Sequence, residues 1–344
     1  MRTPLLLLFL VFAGLVVFVL WMAGGVQSPR TFEADVRDVR TRAPVDTSTA
    51  TLDVVVWNIA WAYGWGSEGS GGARPFRHFE GSLEKIGKTL RDAAPDVVLL
   101  QEVDFDAHRS HGVNQAERIA ELAGLPHVAP VLSWKANWVP FPYWPPTEHF
   151  GRVESGGAVL SRWPIESNIV TLLPKPEANP FHYNLFYLFR YFQRVSINRG
   201  RGSLTIFNAH LEAFDATNRQ RQAELFVEAL SNLPSGSLLV GGDFNTVPPE
   251  ASHRAGFSDE PETSFEEDRT LATLRSVDGL RDAFEPDAYA ADEAQFFTFP
   301  AHEPNRKLDH LLVSEDFEVL EAKVLHEAGD VSDHLPLWVR LRPR

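Results

Sequence analysis

From Leu52 onward the chain alternates between short, continuously apolar runs and stretches with apolar residues at helical spacing. LDVVVWNIAW, DVVLLQEV, GGAVLSRWPI, LTIFNAHL, SLLVGGDFN and LDHLLVS are rich in β-branched residues and predict strands buried on both faces. Such strands belong in sheets covered by helices. Helical spacing places Leu83, Ile86 and Leu90 on one face, with Ser82 as the cap and Pro95 as the stop. A second helix is predicted over AERIAELAG, ending at Gly124. A third runs from Asn218 to Leu230, with Ala223, Phe226 and Leu230 on one stripe. No internal repeat interrupts the pattern, and one domain over residues 51–344 is the simplest account.

Ahead of that domain, residues 3–29 carry no charge, and Leu5–Ala23 is apolar or small throughout. A helix needs ~20 such residues to cross the hydrocarbon core. The apolar region of a signal peptide runs only ~7–15 residues. Residues 1–24 therefore read as a single-pass transmembrane anchor or signal anchor, with Trp21 at the interface; a cleaved signal peptide is the other reading. Residues 25–50, polar with alternating charge, read as a linker. Arg30, Arg37, Arg40 and Arg42 beyond the apolar run count against export of the C-terminal domain. A short basic start before a long apolar run is the usual export signal, and the domain is expected to be extracytoplasmic.

Composition narrows the chemistry. The chain has 344 residues, 32 basic against 46 acidic, for a net charge of −14, and no cysteine. A disulfide scaffold, a Cys-based zinc site and a thiol nucleophile are excluded. The acidic balance opposes tight nonspecific binding to duplex nucleic acid, although a local basic groove is compatible with it.

Polar residues able to bind metal or move protons recur at the ends of the apolar runs. Asn58 follows LDVVVW, Glu102 follows VVLLQ, and His210 follows LTIFNA. Asp243 and Asn245 follow SLLVGG, Asp309 opens DHLLV, and Asp333 and His334 precede LPLWVRL. Each alone has a bland explanation as a turn, cap or surface residue. Strand ends meet at one sheet edge, so together they predict one cleft. His310 is assigned to the core or to a supporting role.

With these motifs in view, the chain resembles the endonuclease/exonuclease/phosphatase superfamily, the deoxyribonuclease-I-like metal-dependent phosphoesterases. The resemblance rests on WNIAW, LLQEVD, SGGAVLSRWPI, NAHLEAF, GGDFN, LDHLLVS and SDHLPL, from Trp57 to Leu337. It implies an α/β (α+β) fold: a four-layered α/β sandwich with two central mixed β-sheets, preceded here by one N-terminal transmembrane helix. It also implies that residues 51–344 are catalytic and hydrolyse a phosphodiester by in-line attack of water. The cofactor implied is Mg²⁺, with Mn²⁺ able to substitute.

The resemblance carries roles to matching positions. Glu102 would hold the metal, with Asn58 supporting it or donating to phosphate and Asp333 adding negative charge nearby. Asp243 would orient and activate water, and Asn245 would donate to phosphate. Asp309 would bond His334, fixing its tautomer and raising its pKa. His210 would be a second donor or acid, with Glu154 as its partner. Either Asp243 or His334 is the general base.

Two aromatic stretches, Trp134–Phe150 and Phe181–Phe192, flank the motifs. They read as a packed rim, a membrane-facing surface or a base-stacking platform. Few lysines lie near them, which favours a phospholipid or another membrane-proximal phosphodiester. An exported or membrane-anchored nuclease acting on DNA is the alternative, and a catalytically dead binding module a weaker one. The expected partners are thus a lipid headgroup or nucleic acid substrate, and the membrane through the N-terminal helix, with no protein partner.

Overall fold

In the strand Leu52–Asn58, Val54 and Val56 face one apolar cluster while Val55 and Trp57 face another, and all are fully buried. A strand buried on both faces must lie between two layers. The computed structural model describes residues 2–25, 27–41, 50–64, 74–200, 202–233 and 236–344. In chain order the elements are α1 (Arg2–Met22), β1 (Arg30–Glu33), β2 (Arg37–Asp38), β3 (Leu52–Asn58), α2 (Phe76–Ala93), β4 (Val97–Asp104), α3 (Gln115–Ala123), β5 (His127–Val139), β6 (Gly151–Ser161) and β7 (Ile165–Leu172). Next come α4 (Phe181–Phe186), β8 (Tyr191–Asn198), β9 (Ser203–His210), α5 (Ala216–Ser231), β10 (Leu238–Asp243), α6 (Thr270–Arg275), β11 (Leu280–Asp282), α7 (Pro286–Ala291), β12 (Asp309–Ser314), β13 (Phe317–Val324) and β14 (Leu337–Pro343).

The strands form two seven-stranded sheets, ordered β1-β7-β8-β9-β10-β12-β11 and β13-β14-β3-β4-β6-β5-β2. Each is mixed: β3 pairs with β4 and β9 with β10 in parallel, and the remaining pairs are antiparallel. Between the sheets, Val54, Val56 and Leu99 meet Ile206, Leu239 and Leu311. On one outer face, Phe79, Leu83, Ile86 and Leu90 of α2 and Ile119 of α3 cover Val55, Trp57 and Val98. On the other, Ala223, Phe226 and Leu230 of α5 and Leu271 and Leu274 of α6 cover Phe207, Val240 and Leu312. The order helix, sheet, sheet, helix is the expected four-layered sandwich.

Three expectations need revision. Helix α2 begins at Phe76 after Pro75, so Ser82 is a buried interior residue and not its cap. Phe79 extends the Leu83, Ile86, Leu90 stripe by a turn, and its burial carries the helix past the local capping signal. Within the expected linker 25–50, β1 pairs with β7 and β2 with β5, each at a sheet edge. Edge pairing uses backbone groups and needs no apolar side chains, so a polar composition conceals it. Residues 26 and 42–49 of that stretch lie outside the described residues. Finally, the aromatic stretches are divided between buried and exposed halves: Trp134 and Phe150 are buried, as are Phe189, Tyr191 and Phe192, whereas Tyr143, Trp144 and Phe181 are exposed.

Candidate active site

The parallel pairs bring four side chains to one edge. Asn58 ends β3, His210 ends β9, Asp243 ends β10, and Glu102 lies near the end of β4. Asp309 opens β12 directly opposite Asp243 in the antiparallel ladder. His334 precedes β14, whose Leu337 pairs with Val56. Its carbonyl accepts from Trp57 Nε1 at 2.9 Å, and its N–H donates to Ser332 Oγ at 3.1 Å.

Glu102 occupies a bulge. Gln101 and Val103 pair with adjacent residues Gly157 and Gly156, so Glu102 has no partner across the ladder, and its φ is 53°. The bulge breaks the strand's alternation and aims the carboxylate along the edge. Asn58 Oδ1 accepts from Ala60 N–H at 3.0 Å, which fixes the direction of its amide. Its Nδ2 then donates to Glu102 Oε1 at 3.2 Å and Asp243 Oδ2 at 3.0 Å.

His334 Nδ1 lies 2.8 Å from Asp309 Oδ2, and Nε2 lies 3.8 Å from Asp243 Oδ2. Burial opposes its charge, but Asp309 and Asp243 outweigh burial and push the imidazole up to about 10. His334 is therefore the cationic histidine. Burial, with the positive charges of Arg190 and His334, pushes His210 well below the usual histidine range. Its Nε2 accepts from Arg190 Nη1 and lies 3.5 Å from Asp243 Oδ2 and 3.8 Å from Glu102 Oε1. A neutral ring satisfies that arrangement.

Asp243 is pushed up to about 6 by burial and by Asp309, against the pull of His334. One of its oxygens is held by Asn58, and the other accepts from Asn245 N–H at 2.9 Å. Asn245, at φ 51°, donates its Nδ2 to the Leu211 carbonyl at 3.0 Å, so it braces the Asp243 turn. Glu102 is pushed up to about 7, first by burial and then by Asp333. Asp333 is half-buried, 3.3 Å from Ser332 Oγ.

The residues fit a divalent cation. Asp243, Asp309 and His334 each offer one ligand atom within 4.8 Å of the others. Asp309 and His334 are already bonded to each other, which leaves Glu102, Asp243 and Asp333 as hard oxygen donors around one edge. Glu102 and Asp243, both raised first by burial and then by a neighbouring carboxylate, are donors short of positive charge, which a cation supplies.

Glu154 does not reach this site. It pairs with Lys135 at 2.7 Å across the β5–β6 ladder, and the expected pair with His210 is not formed. Residue 154 lies past the bulge, where its carbonyl accepts from the Phe105 N–H, and Arg190 takes the place beside His210. Arg190 Nε lies 3.8 Å from Glu212 Oε2, and Tyr187 Oη donates to Glu212 Oε1 at 2.7 Å. Sequence reasoning misses this buried group. In the sequence Arg190 stands out only as the single charge within Phe181–Phe192, and Glu212 only as a letter of NAHLEAF. His310 is core: it stacks on Phe244 with centroids 5.4 Å apart, and its Nε2 bonds the Thr246 carbonyl at 2.8 Å.

The sequence pattern of the Endonuclease/Exonuclease/phosphatase family matches residues 55–334. Among curated proteins none matches the chain. Solved structures share the fold. An endonuclease/exonuclease/phosphatase from Beutenbergia cavernae is 22% identical with a TM-score of 0.60, covering 86% of this chain and 72% of that one. The human Nocturnin catalytic domain with bound sulfate is 18% identical with a TM-score of 0.55, covering 90% and 97%. A mannosyl-6-phosphatase from Bacteroides thetaiotaomicron is 16% identical with a TM-score of 0.53, covering 84% and 99%.

Proposed function

This chain belongs to the endonuclease/exonuclease/phosphatase family of phosphoesterases, and we propose that it is a membrane-anchored, metal-dependent phosphodiester hydrolase acting by in-line attack of water. The observation that carries this reading is the convergence of Asn58, Glu102, Asp243 and the Asp309–His334 pair at one sheet edge. Glu102 would hold Mg²⁺ or Mn²⁺, with Asn58 and Asp333 beside it; when bound, the ion supplies positive charge to the phosphate oxygens.

The remaining roles belong to the protein's own groups. Asp243, ionised above about pH 6, orients the attacking water and takes its proton. His334, held toward its protonated form by Asp309 and Asp243, donates from Nε2 to a non-bridging phosphate oxygen as the new P–O bond forms; the opposite P–O bond breaks, and the leaving alkoxide takes a proton from solvent. Assigning the cation to His334 leaves Asp243 as the base. His210, neutral, contributes a contact and not an acid, while Arg190 behind it brings positive charge toward Asp243 and Glu102. The substrate class this reading favours is a phospholipid or other membrane-proximal phosphodiester.

The test uses the full chain in detergent with Mg²⁺, Mn²⁺ or EDTA. Substrates are bis-p-nitrophenyl phosphate, plasmid DNA and sphingomyelin liposomes. Metal-dependent release from the synthetic diester, most of it lost but still measurable in Glu102→Gln and in His334→Ala, is expected. Near-wild-type release in either variant would sink the assignment. Cleavage of DNA with intact liposomes would make the enzyme a nuclease, and inactivity on all three would favour a binding module.

A further inference from the structure

Three aromatic segments project beyond the site edge, and the ladders show how. β5 is level with Glu102 at Leu132, which pairs with Gly156, and runs on past it to Val139. The loop after β5 carries Phe141, Tyr143 and Trp144, of which Trp144 is 80% exposed. β8 begins at Tyr191, opposite His210, so α4 just before it lies beyond the same edge with Phe181 and Tyr183 exposed. Phe214, 82% exposed, comes four residues after His210. Trp134 Nε1 donates to the Phe186 carbonyl at 2.9 Å, joining β5 to α4.

Helix α1 leaves the domain at this rim. Pro4–Met22 has a mean hydropathy of 3.0, long and apolar enough to cross a bilayer, and none of it is buried. Its C-terminal end is pinned to the outward part of β5: Asn137 Nδ2 donates to the Trp21 carbonyl at 2.7 Å, and Gln27 Nε2 to the Lys135 carbonyl at 3.0 Å. Ala23 is buried there. A cavity of about 230 Å³ is lined by Gly25 and Gln27 from the helix exit and by Phe181, Leu185 and Tyr187 from α4. The anchor and the aromatic rim are therefore continuous.

We infer that the aromatic rim docks on the surface of the same bilayer that α1 enters, so that the site edge faces the lipid headgroups. Trp and Tyr partition to the headgroup region, and an apolar patch this exposed, beside a membrane helix, has the bilayer within reach of its own tether. The inference rests on reading α1 as a membrane anchor.

The absence of cysteine makes a clean test available. Four single-cysteine variants of the full chain, Phe12→Cys in the middle of the apolar helix, Trp144→Cys, Phe181→Cys and Glu318→Cys, are spin-labelled and reconstituted in vesicles of phosphatidylcholine and phosphatidylglycerol. Paramagnetic accessibility then compares oxygen, which enters lipid, with a water-soluble nickel chelate. Labels at 12, 144 and 181 should favour oxygen at least several-fold over the label at 318, on the distant strand β13. A lipid-embedded label at 12 with aqueous labels at 144 and 181 would overturn the docking and leave the anchor standing. An aqueous label at 12 would overturn the anchor reading and the docking with it.

Discussion

Asn58 Nδ2 donates to Asp243 Oδ2 across 3.0 Å, joining the last residue of β3 in one sheet to the last residue of β10 in the other. The two residues are 185 positions apart. The same nitrogen reaches Glu102, so one buried amide sets the spacing of both carboxylates. The proposed chemistry depends on that spacing.

Replacing Asn58 with Ala removes a donor from two buried carboxylates. Turnover on a diester substrate should fall about 10²–10³-fold, as for loss of a preorganised donor. Stability should fall by about 1–3 kcal/mol because the acceptors lose their partner. Circular dichroism with steady-state kinetics would check both, and wild-type turnover would contradict the role.

Glu102 and Asp243 are both raised in the folded state, to about 7 and about 6. A group raised on folding stabilises fully below its unfolded pKa, and that stability is lost as pH rises through the folded value. The chain in EDTA should thus lose stability from about pH 4 to 7, and His334 adds the same trend from about 6.5 to 10. Saturating Mg²⁺ should reverse the loss, because it binds the deprotonated forms. In Glu102→Gln the fall should be shallower by roughly 2–3 kcal/mol. Thermal melts across pH, with and without Mg²⁺, decide this; a flat profile in EDTA would contradict it.

Asp309→Asn removes the leading charge that raises His334. The alkaline limb of the pH–rate profile should move toward neutral pH, while His334→Ala should erase it. The double variant should be little worse than His334→Ala alone, because the two act as a unit. Additive losses would show that Asp309 does not act through His334.

Arg190→Ala leaves Glu212 buried without its cation and removes the group beside His210. Such an uncompensated charge typically costs about 3–5 kcal/mol, which a denaturant midpoint would register. Arg190→Lys keeps charge but not the planar fork and should recover only part of the loss.

The core strands β3, β4, β6, β9, β10 and β12 are legible as apolar runs, because a strand buried on both faces needs an uninterrupted apolar sequence. β5, β7 and β8 are not: their burial patterns are mixed, so polar residues interrupt each apolar run. The site residues at strand ends are legible individually, since chemistry-bearing side chains there serve no packing purpose. The Gly-Gly pairs have the chemistry of turns, yet they lie within strands β6 and β10. A Cβ at Gly157 would lie 1.8 Å from Tyr191 Oη, and one at Gly242 1.9 Å from the Ala209 carbonyl. These glycines permit close approach of chains, which no local pattern reports.

What the sequence alone determined, then, was that buried strands lie in sheets covered by helices, the apolar N-terminal helix and the donor types at the strand ends, all properties of neighbouring residues; the count of four layers was implied by the family resemblance. Only the tertiary structure decided which donors meet. It placed Glu102 in a bulge, gave His210 to Arg190 in preference to Glu154, and made His334 the cation and His210 the neutral ring. It also set the end of α1 against the aromatic rim. Register, the bulge in β4 and the field of distant charges produce these outcomes, and each acts between residues far apart in the chain.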